Sequence, residues 1–282
     1  MRSTLILILL MATAGCSDFD PRSLLNAPRV VGVVAEPPEV GPGGSVRLTS
    51  IEYGEEIESR TWSLCLISLG VFVDFACLDE ALEIVLPSDE ASIDISFTEE
   101  DVDLFALLSS FIAEQGLEEA MAGCGAACVG PDGERRPYFD VQIKLDTRWS
   151  DGTEMTTYKS VRVRFDEVEL NTNPDISDLL VDGLESPEPV APGDTVRLTV
   201  SNDSSLLQRY EDGGGRTYDE ELTLTWYSTA GEFASAVTFG EDLDAVLRLP
   251  SELIDDDIQV LVVARDGRGG TDYLSTVIPV VR

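Results

Sequence analysis

The segments PPEVGPGGSVRLT (residues 37–49) and PEPVAPGDTVRLT (residues 187–199) are two copies of one pattern and decide the fold. Proline, valine, the Pro-Gly pair and the whole VRLT block coincide without a gap. Each copy joins a short apolar stretch through a Pro-Gly turn to a stretch in which apolar and polar residues alternate. That order is typical of a strand, a turn and a half-buried strand. The sequence therefore predicts a duplicated domain built from short strands.

The remainder of each half repeats the same order. A tryptophan follows each copy, Trp62 in the first half and Trp226 in the second. Each half then has a strand, a glycine-bearing turn and a final alternating strand, at 140–143, 150–152 and 159–165 in the first half and at 257–260, 266–270 and 274–281 in the second. We predict two domains, 28–168 and 172–282, with their boundary near 171–174.

Short strands separated by turns, with a tryptophan on an early strand, are typical of a β-sandwich. The segments VAPGDTV (190–196), the strand around Trp226, and VVARDGRGG (262–270) resemble the Ig-like and PKD-like modules of bacterial surface lipoproteins. The resemblance covers most of the second half and the two ends of the first. It implies a mainly β protein of two Ig-like antiparallel β-sandwich domains, and it specifies little about function because such sandwiches serve many roles.

The first half departs from this pattern in a predicted insertion at about 64–137 that contains four of the five cysteines, Cys65, Cys77, Cys124 and Cys128. An even number of cysteines in an exported chain favours two disulfides, with three connectivities open. We predict Cys65–Cys77 across an apolar hairpin and Cys124–Cys128 around a small loop. The alternative is a four-cysteine metal site, which the absence of paired C-x₂-C spacings disfavours.

The same insertion contains the predicted helical part of the chain. A capping-box-like pair, Thr98 and Asp101, precedes an apolar stripe at helical spacing that ends at Gly116, and a second short helix is predicted at 117–122. The apolar stretch LCLISLGVFV (64–73) predicts a buried strand pair of the first domain. The alternative for that stretch is an exposed partner-binding patch.

The chain begins with the pattern of an export signal. Arg2 precedes an apolar run at 5–11 and then small residues, in the order of a secretory signal peptide. The run is too short for a membrane span, which needs about 20 apolar residues. The segment TAGC (13–16) resembles the lipobox of bacterial lipoproteins, which implies removal of residues 1–15 and a lipid-bearing Cys16. The alternative is a soluble secreted protein cut near Gly15.

This resemblance implies a lipidated tether at 16–27 that joins the first domain to a membrane. Stable anchoring requires more than one acyl chain, which lipoprotein processing supplies. By analogy with enteric bacteria, Ser17 after the lipidated cysteine favours the outer membrane. We therefore expect a protein anchored by lipid at the outer membrane or cell surface, with a periplasmic-facing location as the alternative.

Composition excludes several classes of function. The 53 acidic residues outnumber the 19 basic residues and give a net charge of −34, which repels nucleic acid. The chain has no histidine, so it lacks the Ser-His-Asp triad and the imidazole ligands of most catalytic zinc sites. Glycine patterns of nucleotide-binding loops are missing as well. We predict no catalytic, cofactor-binding or metal-ligating residues and no cofactor.

The function we expect is non-enzymatic recognition or scaffolding of a protein or polysaccharide partner. One alternative is a calcium-dependent adhesion module, which would use acidic groups at 101–103, 242–244 or 255–257. None of these groups has the spacing of a known calcium loop. The other alternative is a hydrolase whose site lies in the insertion.

Overall fold

The structure, a computed structural model, contains two β-sandwiches and no helix within the residues that it describes. Those residues are 21–41, 43–54, 56–65, 68, 76–77, 83–97, 138–164, 169–202, 207–211, 216–240 and 242–281. The strands of the first sandwich are β1 (Arg29–Glu36), β2 (Glu39–Val40), β3 (Ser45–Tyr53), β4 (Ile57–Cys65), β5 (Glu83–Val85), β6 (Ser92–Ser96), β7 (Tyr138–Trp149) and β8 (Glu154–Arg164). The strands that follow are β9 (Ile176–Val181), β10 (Thr195–Asn202), β11 (Arg209–Glu211), β12 (Thr217–Asp219), β13 (Thr223–Ser228), β14 (Glu232–Phe233), β15 (Val237–Phe239), β16 (Asp244–Arg248), β17 (Asp257–Arg265) and β18 (Thr271–Pro279).

The first sandwich packs a sheet of order β1-β3-β6 against a sheet of order β2-β8-β7-β4-β5. Its strands bury alternate residues, so Val46 and Leu48 of β3 face Trp62 and Leu64 of β4 in one apolar cluster. The Trp62 indole nitrogen donates to the backbone oxygen of Glu90 at 2.9 Å. The short β2 pairs in parallel with the last strand, β8.

The second sandwich packs β14-β16-β10-β9 against β15-β13-β17-β18. This is the A-B-E-D and C-F-G order of Ig domains, with β15 added beside strand C. Trp226 on β13 is buried at the position that corresponds to Trp62 on β4. The isolated parallel bridge Val190–Val280 corresponds to the β2–β8 pair. The predicted mainly β architecture of two Ig-like sandwiches is confirmed.

The predicted insertion at 64–137 is interrupted by two strands of the sandwich. Strand β5 pairs with β4, and strand β6 pairs with β3. Ile95 of β6 and Phe97, the residue after the strand, are buried in the first core and alternate with polar residues. These strands divide the predicted insertion into two segments, 66–82 and 98–137, of which only residues 68, 76 and 77 are described. The predicted helices, Cys124 and Cys128 lie outside the described residues.

The predicted disulfide between Cys65 and Cys77 is confirmed, with a Cα–Cα distance of 5.7 Å. It joins the end of β4 to the chain before β5, and Ser68 forms a β-bridge with Cys77 inside the closed loop. Leu64 and Cys65 are buried, in agreement with a buried stretch at this point. The other residues of 66–73 lie outside the described ranges.

The two sandwiches lie side by side. Ile51 of the first sandwich packs against Leu261 and Val263 of the second, and Val31, Val34 and Tyr227 complete this cluster. All of these side chains project from the outer faces of their sheets, away from the two cores. The sheet β1-β3-β6 therefore packs its outer face on the sheet β15-β13-β17-β18, and the four sheets form a stack.

The two sandwiches run in opposite directions and share two ends. We call the first end the tether end. There the Leu25 amide donates to the backbone oxygen of Ser228 at 2.7 Å, and the Ser228 amide donates to the backbone oxygen of Ser23 at 3.0 Å. At the other end, which we call the junction end, the chain leaves β8 and enters β9. There the Asn173 side-chain amide donates to the Ala35 oxygen at 2.8 Å and accepts from the Thr271 amide at 2.9 Å. Strand β1 runs from the tether end to the junction end, and β9 returns.

The strand pairing also shows where segments 66–82 and 98–137 are attached to the first sandwich. Cys65, the last residue of β4, pairs with Glu83, the first residue of β5. Ser96 ends β6 opposite Ser45, and Tyr138 begins β7 opposite Arg164. All four flanking positions lie at the junction end. Segments 66–82 and 98–137 are thus attached to the end of the molecule opposite the tether.

Candidate functional site

The junction end contains a buried group of charged and polar side chains contributed by both sandwiches and by the chain that connects them. We call it the junction cluster; its members are Glu39, Arg162, Arg164, Asn171, Glu220, Asp266 and Arg268.

Glu39 is the centre of the junction cluster and is 0% exposed. Parallel pairing of β2 with β8 places it beside Arg162, whose guanidinium lies 3.5 Å from its carboxylate. Arg164 is 3.9 Å from the same oxygen, and Arg268 of the second sandwich is 3.5 Å from the other. The backbone amide of Asn171 donates to that second oxygen at 2.9 Å. A buried carboxylate requires such compensation, and here it comes from both sandwiches.

Arg268 joins Glu39 to the second sandwich. Its guanidinium donates to Glu220 at 2.8 Å and to the Gln208 side-chain oxygen at 3.2 Å. It also lies 4.5 Å from the centre of the Tyr210 ring, within the range of a cation–π contact. One buried cation therefore bridges two buried carboxylates that are 181 positions apart in the chain, since they are residues 39 and 220.

The turn that carries Arg268 is organised by Asp266. One carboxylate oxygen of Asp266 accepts from the amides of Arg268 at 2.7 Å and Gly270 at 2.9 Å. The other accepts from the side chain of Asn171 at 2.7 Å. A Cβ atom at Gly270 would collide with this carboxylate. The DGRGG turn recognised in the sequence therefore positions a cation for the junction.

Burial shifts the pKa of two groups at this end. It raises the pKa of Glu220, with the nearby Asp266 carboxylate acting in the same direction, against the lowering effect of the Gln208 amide and Arg268. Burial also lowers the pKa of Lys159 to about 8, while the neighbouring Asp266 opposes that change. The Lys159 amine donates to the Gly269 oxygen at 2.5 Å and to the Thr271 hydroxyl at 3.0 Å. These contacts join β8 of the first sandwich to the last turn of the second.

The ion pairs and hydrogen bonds of the junction cluster connect the two sandwiches. Glu39 and Glu220 face guanidinium groups, and the oxygens of Asp266 accept from amide donors. The arrangement fixes the relative position of the two sandwiches.

A hairpin of β11 and β12 lies on the junction cluster between β10 and β13. Tyr210 and Tyr218 face each other across it, with ring centres 5.6 Å apart and planes inclined by 25°. The Arg268 guanidinium lies over the ring of Tyr210, and the side chain of Tyr218 is 39% exposed. The cluster thus supports an aromatic side chain that reaches the surface at the junction end.

Cys16 and the acidic groups singled out in the sequence are not members of the junction cluster. Cys16 and the acidic group at 101–103 lie outside the described residues. Asp244 of the group at 242–244 forms an ion pair with Arg197. The group at 255–257 lies at the tether end, where the backbone oxygen of Asp256 accepts from the Val280 amide at 2.8 Å. Across the described ranges, His, Cys, Asp and Glu side chains form no group of three or more that could hold a metal ion.

Sequence reasoning missed Glu39, Arg268 and Tyr218. The sequence contains only a weak indication that Glu39 is buried: it is a single acidic residue between Pro38 and Val40. Arg268 belonged to a turn that was recognised only as a turn. Within the part of the chain that the structure describes, no helix is long and apolar enough to cross a membrane.

Comparison with known proteins gives no family. No family model matches the chain, and no curated protein matches it. The Ig1-2 module of the Drosophila receptor protein tyrosine phosphatase DLAR is 11% identical, with a TM-score of 0.28 over 91% of this chain and 100% of that chain. The D00-D0 domain of intimin is 10% identical, with a TM-score of 0.24 over 91% of this chain and 99% of that chain.

A third structure, the Bacteroides ovatus mixed-linkage glucan utilization locus protein SGBP-B in complex with a mixed-linkage heptasaccharide, is 12% identical. Its TM-score is 0.21 over 90% of this chain and 47% of that chain. At these scores the likenesses carry no argument about function, and the Ig-like assignment of this chain depends on its own strand order.

Proposed function

We propose that the protein is a non-enzymatic, lipid-anchored surface protein that recognises a protein or polysaccharide partner with its junction end. The supporting observation is the opposition of the two ends. Tether residues 23–25 are hydrogen-bonded at one end, while Tyr218 and the attachment points of segments 66–82 and 98–137 lie at the other. A surface protein held at the first end presents the second to its surroundings.

The anchoring part of the proposal follows from the lipobox-like segment at 13–16. Cys16 is five positions before Pro21, the first described residue. Five residues span at most about 17 Å, so a lipid on Cys16 stays close to the tether end. The proposed location is the outer membrane or cell surface.

The non-enzymatic part is supported by the chemistry of the chain. It contains no histidine, and the carboxylates of the junction cluster are occupied by guanidinium and amide donors. Within the described ranges, no observation favours the calcium-dependent or the hydrolase alternative.

The test uses the full lipidated chain, its Tyr218→Ala variant and a matched Val277→Ala variant. Val277 is an exposed residue of β18 and lies outside the hairpin. Envelope proteins and polysaccharides are captured on each protein, and the dissociation constant of each captured partner is measured. We expect Tyr218→Ala to weaken binding at least tenfold and Val277→Ala to leave it unchanged. Equal affinities, or no partner for the unmodified protein, would contradict the proposal.

Anchoring has its own test. Cells given radioactive palmitate should label the wild-type chain, and the Cys16→Ala variant should carry no label. A labelled variant would exclude Cys16 as the lipidated residue, and an unlabelled wild type would exclude lipidation.

A further inference from the structure

The tether end carries an apolar groove of about 520 Å³, which we call the tether groove. Its apolar lining comes from the tether itself and from the loops of the second sandwich, and its main members are Leu24, Ala230, Leu249, Pro250, Leu253 and Ile254. Ile254 is 90% exposed, the highest value among the large apolar side chains that the structure describes. An isoleucine so exposed beside an apolar groove is a candidate for contact with an apolar phase.

The tether groove is adjacent to the chain that leads to Cys16. Leu24 lines the groove, and the backbone on either side of it is held by the two hydrogen bonds to Ser228. Leu25 is buried, so this part of the chain is packed on the second sandwich. The chain from Cys16 to Pro21 makes five residue steps, which allow at most about 17 Å of separation. Acyl chains on Cys16 would therefore begin within about 17 Å of Pro21, at the same end of the molecule as the groove.

We infer that the tether groove is a second membrane contact, in which Ile254 enters the headgroup region of the bilayer that holds the Cys16 lipid. This inference rests on the lipid anchoring proposed above. Because the lipid already holds the protein at the surface, the contact needs little affinity of its own. It would fix the tilt of the molecule and direct the junction end away from the membrane.

Charge around the groove defines the lipid class. Glu232, Glu252 and Asp255 line it together with one cation, Arg248. Acidic side chains are repelled by anionic headgroups, so the groove fits a zwitterionic phospholipid surface.

The test places a tryptophan at each end of the lipidated full-length chain. Ile254→Trp reports on the groove. Phe239→Trp is the matched control, because Phe239 is 62% exposed and pairs with Thr223 near the junction end. The native residues Trp62, Trp149 and Trp226 are fully buried and give a constant background. Both variants are reconstituted in phosphatidylcholine vesicles whose acyl chains carry bromine, a short-range quencher.

We expect bromine to reduce the added emission of Ile254→Trp at least twofold and to leave that of Phe239→Trp unchanged. Equal quenching at the two positions, or none at either, would overturn the inference. A blue-shifted Ile254→Trp emission without quenching would also overturn it, because the groove would then be filled by something other than bilayer lipid. Flotation separates this inference from anchoring: protein that floats with vesicles but shows no quenching retains the anchor, whereas protein that does not float contradicts the anchoring itself.

Discussion

Glu39 and Arg268 belong to different sandwiches, yet their charged groups lie 3.5 Å apart in the interior of the molecule. The Glu39 side chain is 0% exposed and that of Arg268 is 9% exposed. A buried ion pair adds little net stability compared with apolar packing, because desolvation offsets the attraction. Its geometric requirement is strict, however, since a shift of either sandwich would separate each of these buried charges from a partner of opposite sign. The pair therefore makes the relative position of the sandwiches specific.

Removal of Glu39 should be severely destabilising. Glu39→Ala removes one of the two carboxylates that Arg268 bridges, leaving Glu220, and deprives the Asn171 backbone amide of its acceptor. We expect the free energy of unfolding in urea to fall by about 3–5 kcal/mol, the usual result of truncating one partner of a buried pair. The control is Asp94→Ala, which breaks the exposed pair with Arg47 and should change nothing measurable. Equal stability of the two variants would show that the junction tolerates uncompensated charge.

The contribution of Lys159 should increase at alkaline pH. Its pKa is about 8 in the folded protein and 10.5 when exposed, so the unfolded chain binds more protons between these values. Stability from this residue therefore rises as the pH increases from 8 to 10.5, by up to about 3 kcal/mol. The measurement is the free energy of unfolding of wild type minus that of Lys159→Met across this range.

The other lysine of the chain provides the control. The pKa of Lys144 is raised by its hydrogen bonds to Asp146 and Glu83, which outweigh the opposing effect of burial. Its contribution is therefore present below its unfolded pKa and should stay constant between pH 8 and 10. A flat difference for Lys159→Met would mean that its amine titrates normally.

The apolar contact between the sandwiches should control the shape of the molecule. Ile51→Asp places a carboxylate against the apolar side chains of Leu261 and Val263, and burial of a charge against apolar groups costs free energy. We expect the sandwiches to separate, with a larger radius of gyration in small-angle scattering and faster proteolysis between β8 and β9. The matched variant Val277→Asp alters an exposed position on β18 and should preserve both quantities. Unchanged scattering for Ile51→Asp would contradict the side-by-side packing.

Loss of the Cys65–Cys77 bond should have a moderate cost. The bond closes a loop with a sequence separation of 12, for which chain entropy gives about 3 kcal/mol. The double variant Cys65→Ala/Cys77→Ala should lose this amount in chemical denaturation under oxidising conditions. In reductant, wild type and variant should become equally stable. A difference that persisted in reductant would assign the effect to packing of the buried Cys65 side chain.

The strand order could be predicted from the sequence because both halves carry the same alternation and turns. Trp62 and Trp226 occupy corresponding strands, and the Pro-Gly turns precede corresponding strands β3 and β10. Strand β6 was missed although Ile93, Ile95 and Phe97 alternate with polar residues, because it lies between two segments that do not follow the Ig pattern. Alternation over so short a stretch is a weak signal when its neighbours lack a partner pattern.

The sequence contains an indication that the two sandwiches pack on each other. Strands β1 and β17 contain the nearly continuous apolar runs VVGVVA (30–35) and VLVVA (260–264). A strand that is apolar on both faces is covered on both faces. The junction cluster had no comparable signal, because Glu39, Glu220 and Arg268 are distant in the chain and meet only through the reversal between β8 and β9.

The opposed direction of the two sandwiches determines how far the molecule reaches. The longest strand, β7, has 12 residues and spans about 40 Å. Two sandwiches placed end to end would extend about twice as far, but this molecule is one sandwich tall and two sandwiches wide. A protein anchored at the tether end would therefore extend a shorter distance from the membrane and cover a larger area of it. Under the proposed function, a partner would have to approach to within a few nanometres of the membrane surface, and neighbouring copies would be spaced by the width of two domains.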